Sequence, residues 1–102
     1  MPQSNSELVK EVNTRRLMCM VPRSTYDRAL VRICENPRNE GLRDTVDPVV
    51  VYSRSLIVQA LMEVDGMTAD DACEWLSYNV EGAYLGPLTP LYDGKEFDDD
   101  QP

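Results

Sequence analysis

The chain has no histidine, a single tryptophan and a single phenylalanine, and its three cysteines, Cys19, Cys34 and Cys73, stand far apart. Each scarcity excludes something. Without histidine or a Cys-x-x-Cys pair, the usual zinc ligand sets cannot be assembled. A cysteine nucleophile would lack its customary partner base, so all three are read as reduced thiols with no catalytic assignment. The five glycines are scattered, whereas a phosphate-binding loop needs them clustered before a helix. No apolar run approaches the ~20 residues of a membrane span, and Leu17 to Val21 is far too short. Charges interrupt the opening stretch from Glu7 to Arg16, which is not a signal-peptide pattern, and a cytoplasmic protein is the expectation.

What is present suits one small domain over residues 1–102, with 1–6 and 94–102 expected to be flexible. A hydrophobic fraction of 42% is ordinary for a folded chain. The net charge of −8 hides an asymmetry: residues 1–43 hold eight Lys/Arg and five acids, whereas residues 44–102 hold two Lys/Arg and thirteen acids. Such a partition marks a partner surface, a self-complementary contact, or two solvated faces that neutralise one another within the fold.

The clearest architecture lies between Tyr52 and Tyr92. Ser53 is a good N-cap, and Leu56, Ile57, Ala60, Leu61 and Val64 follow at helical spacing. Gly66 sits where a left-handed C-cap belongs. Thr68 and Asp71 open a second helix, whose apolar stripe is Ala69, Ala72, Cys73, Leu76, Val80 and Ala83. So short a loop predicts that the two helices pack together. Upstream, Ser6 is the expected cap of a helix from Glu7 to about Arg16. The run Leu17 to Val21 is open between a strand and a last helical turn. Tyr26, Ala29, Leu30 and Ile33 fit a helix from Thr25 to about Glu35, with a strand over Ala29 to Cys34 as the alternative. Arg38 to Asp47 reads as a surface loop. Val49 to Tyr52 is β-rich and is expected to pair antiparallel with Leu88 to Tyr92, an edge because Pro90 has no N–H. The predicted fold is therefore α+β: a small, mainly helical domain with a helical pair and a short two-stranded antiparallel ribbon. Beyond it Asp93-Gly94 turns the chain out into an acidic tail.

Taken together, several of these pieces form a pattern. Val51-Tyr52, Ala60-Leu61-Met62, Gly66-Met67-Thr68, Ala72-Cys73-Glu74, Tyr78-Asn79, Gly82-Ala83-Tyr84, Gly86 and Thr89-Pro90 resemble a family of small uncharacterised proteins common in bacteriophage genomes and also found in bacteria. The resemblance spans roughly Ser24 to Tyr92. It implies a phage-related setting, the host cytoplasm if phage-encoded, and it brings no catalytic residue with it. Short acidic proteins in that setting often bind and inhibit host machinery.

The remaining chemistry is sparse. The tail is acidic like a calcium loop but lacks its alternating ligands, central glycine and terminal glutamate. Asp70, Asp71 and Glu74 form a carboxylate group in which Asp70 and Asp71 occupy the first turn of a helix, where acids are favoured, and none is given a catalytic role. A nucleic-acid contact through Arg15, Arg16, Arg23, Arg28 and Arg32 is conceivable, but the excess of positive charge is small. Mimicry of nucleic acid by the acidic half would need several acidic elements to combine. No cofactor, metal or catalytic residue is expected. The expected function is non-enzymatic protein binding, with self-association a further outcome. The candidate contact residues are Trp75, Tyr78, Asn79 and Tyr84. Asn79 has a second reading as the amide that fastens the Gly82 to Pro90 segment to the second helix, with Tyr84 packed over the junction.

Overall fold

The computed structural model describes residues 4–78, 86 and 88–93. Its elements in order are helix α1 (Asn5–Arg15), the short helix α2 (Arg23–Tyr26) running into a 3-10 turn (Asp27–Ala29), and strands β1 (Leu30–Cys34) and β2 (Val49–Ser53). Helices α3 (Arg54–Asp65) and α4 (Ala69–Leu76) and strand β3 (Leu91–Asp93) complete them. The fold is α+β, as expected, but the ribbon is a three-stranded sheet in the order β1-β2-β3.

Local chemistry accounts for most helix ends. Ser4, not Ser6, caps α1: its hydroxyl accepts the Glu7 N–H at 3.2 Å, while the Glu7 carboxylate accepts the Ser4 N–H at 3.3 Å. This reciprocal pair satisfies two otherwise orphaned donors, so Ser4 to Ser6 belong to the start of a helix. The Ser53 hydroxyl accepts the Leu56 N–H at 3.2 Å, and the Thr68 hydroxyl accepts the Asp71 N–H at 3.1 Å. Gly66 closes α3 at φ 70° and ψ 20°, the left-handed cap that its position implied.

The predicted helix over Thr25 to Glu35 is corrected. It is one short helical turn followed by β1, and α2 starts after Pro22 with no side-chain cap. The reason is a β-bulge. Leu30 pairs with Tyr52 and Arg32 with Val51, leaving Val31 as the extra residue. The bulge shifts the alternation, so that Leu30 and Ile33, three apart, both join the core on the helix side. A spacing that imitates a helix thus arises inside a strand.

The pairing of β2 with the returning segment is also corrected. Val51, Tyr52 and Ser53 pair with Leu91, Tyr92 and Asp93 in parallel, not antiparallel. A parallel neighbour requires a long crossover, usually through helix. Here α3 and α4 lie between the two strands in the chain. β3 is an edge strand that starts immediately after Pro90, where a missing N–H does least harm.

The sheet has two covered faces. Val50 and Tyr52 point into the main core with Leu8, Val12, Tyr26, Ile57, Leu61 and Leu76. Val49 and Val51 turn the other way, against Cys34 and Leu91. All four β2 residues Val49 to Tyr52 are buried. That explains an unbroken apolar run where a one-sided strand would alternate. The loop between β1 and β2 is tied down by Arg43, whose guanidinium donates to the carbonyls of Thr89 and Pro90. α1 is anchored by the Asn5 amide, which donates to the Asp27 and Leu30 carbonyls at 2.9 and 3.2 Å. Among the described residues no helix is long and apolar enough to cross a membrane.

Candidate functional site

Helix α4 presents two sides. At 100° per residue, Ala72 and Leu76 fall together on the buried side, whereas Asp70, Asp71 and Glu74 fall on the opposite arc and are exposed, as is Tyr78 two residues past the end of the helix. Trp75 lies at the border. It is half-buried and stacks on Tyr26, with ring centroids 6.2 Å apart and planes 13° from parallel. That contact makes Trp75 part of the packing between α4 and the α2 segment, while its uncovered portion borders the outward face. Among the described residues Tyr78 has no such partner, and it is 77% exposed. The structure therefore separates two residues that the sequence grouped: one is largely structural, the other stands in solvent. Asn79 and Tyr84, with the loop-fastening role predicted for them, lie outside the described residues, as do Val80, Ala83 and the tail beyond Asp93.

The electrostatics of this face follow from where the cations are used. Arg15 bridges Glu11 at 3.0 Å and Glu35 at 2.7 Å; Arg23 bonds Asp27 at 2.5 Å and Arg32 bonds Glu40 at 3.3 Å. Arg28 reaches Glu63 at 2.8 Å, and Arg38 reaches Asp44 at 3.1 Å. Only the last two join the basic first part of the chain to the acidic second part, and Asp44 stands at their boundary. None of the ion pairs among the described residues involves Asp70, Asp71 or Glu74. Most ion pairs of the basic segment are thus made within it, and the α4 carboxylates face water outside the ion pairs of the described residues.

A second cluster, unforeseen in the sequence, lies where the link between α1 and α2 crosses the sheet. The fully buried Tyr52 hydroxyl accepts the Met20 N–H at 2.8 Å, and the Tyr52 ring stacks on Tyr92 at 6.0 Å. Cys19 donates weakly to the Leu17 carbonyl at 3.5 Å. Burial pushes the Cys19 thiol up, and the charge of Arg23 and the hydroxyl of Tyr52 only partly oppose this. Burial likewise raises the Cys34 thiol, reinforced by Glu40, whose carboxylate accepts its S–H at 3.3 Å. Thiols held protonated are poor nucleophiles and poor metal ligands. One terminal nitrogen of Arg23 is buried without a hydrogen-bond partner among the described residues.

Among the described residues no group of three or more His, Cys, Asp or Glu is placed to hold a metal ion. The signal that could have located Trp75 in the core is its pairing with Tyr26, and a contact across so many intervening residues leaves no trace in local spacing. No family model, no curated protein and no solved structure matches the chain.

Proposed function

We propose that this chain is a non-enzymatic accessory protein of phage type that acts by binding another protein through the outward face of α4, and that the binding inhibits a host factor. The phage setting rests on the resemblance over Ser24 to Tyr92. The binding mode rests on one observation: a 77%-exposed Tyr78 follows a helix whose carboxylates no cation among the described residues neutralises. Tyrosine is enriched at interfaces because its ring supplies apolar area while its hydroxyl remains wet. A partner suited to this face carries Lys or Arg around an apolar or planar group. In that reading the uncovered part of Trp75 borders the contact.

The protonated thiols of Cys19 and Cys34 support a binding role over nucleophilic chemistry. The free carboxylates also favour a second reading, a charge-based mimic of nucleic acid. Spacing weighs against it. Asp70 to Glu74 covers about 6 Å at ~1.5 Å per residue, whereas duplex DNA carries a charge every ~1.7 Å of axis. The deciding experiment is capture from host lysate on this 102-residue chain, repeated with Tyr78→Ala and with Asp70→Asn/Asp71→Asn/Glu74→Gln. A captured protein lost with both variants, whose own activity falls when the chain is added, is the expected result. Capture that persists undiminished with both variants removes α4 as the contact. Loss with the carboxylate variant alone, steeply dependent on salt, favours mimicry.

A further inference from the structure

We draw no further inference here: the strongest candidate, the side-chain cluster of Cys19, Arg23, Asp27 and Tyr52 beneath the link between α1 and α2, holds one buried guanidinium nitrogen without a partner among the described residues, and nothing in the structure points to a ligand for it.

Discussion

Replacing Tyr52 by phenylalanine tests the packing at the centre of the sheet. The substitution keeps the ring, its burial and its stacking on Tyr92, and removes only the oxygen that accepts the Met20 N–H. A buried donor left without an acceptor costs about 1–3 kcal/mol. Met20 is only half-buried, so water can partly replace the lost acceptor, and a loss near the lower end, about 1 kcal/mol, is expected. For a domain of this size that lowers the melting temperature by roughly 4–8 °C. A second signature appears at alkaline pH. Burial pushes the Tyr52 phenol well above its ordinary value of 10.0. Above pH 10 the unfolded chain releases this proton while the folded chain keeps it, so the stability is complete below that pH and declines above it. The Cys19, Cys34 and Tyr26 groups shift the same way and contribute to the same decline. Urea unfolding from pH 7 to 11 should therefore give a shallower alkaline decline for Tyr52→Phe than for the parent. An unchanged melting temperature with an unchanged alkaline slope would refute the burial and bonding assigned to this hydroxyl.

Three further outcomes follow from the same geometry. Gly66→Ala should destabilise by about 1 kcal/mol through its left-handed φ alone, since nothing lies within 4 Å of an added Cβ; calorimetry showing equal or greater stability would contradict the cap. Trp75→Ala should lower stability by about 2 kcal/mol through loss of the Tyr26 stack and half-buried surface, whereas Tyr78→Ala should stay within about 0.5 kcal/mol; equal effects in thermal melts would show that the two were wrongly separated. Arg43→Ala should speed amide exchange in Leu91–Asp93 while leaving Val50 unchanged, because the bonds it makes join the β1–β2 loop to the start of the edge strand; uniform acceleration would mean that the loop supports the whole sheet.

The helical pair was legible because its signals are local. Ser53, Gly66 and Thr68 act within one turn of the residues they cap, and no distant contact overrides them. Over β1 the helix fails and the alternative strand holds, for the opposite reason. Its inward residues are spaced by the bulge, and only the register against β2 distinguishes that spacing from a helix. The direction of β3 depends on the path of the chain after α4, which hydrophobic pattern does not encode. The first cap is Ser4 and not the expected Ser6, and a local signal marks it: Ser4 has a glutamate three residues on to complete the box, whereas Ser6 has Val9 there. At the candidate site, the exposure of the α4 acids could be read from the helical wheel. The Tyr26 partner of Trp75 could not, since the two residues meet only through tertiary packing.

The charge partition bears on self-association. A closed two-fold dimer would set the basic part of each copy against the acidic part of the other. That requires cations still free to turn outward. Arg15, Arg23, Arg28, Arg32 and Arg38 are engaged with carboxylates of their own chain, and Arg43 holds backbone carbonyls. Among the described residues of the basic part, Lys10 and Arg16 are left outside ion pairs. Two cations meeting three carboxylates at each contact, in water, contribute little, since exposed pairs yield about 0–1 kcal/mol each and salt screens them beyond ~8 Å at physiological strength. Dimerisation by charge alone is therefore expected to fail at physiological salt. Sedimentation at high protein concentration and about 0.15 M salt should find a monomer, and lowering the salt should produce at most weak association. A dimer that persists at high salt would overturn this reasoning. Its interface would then have to be apolar, and loss of that dimer with Tyr78→Ala would place a second copy on the face assigned here to a foreign partner.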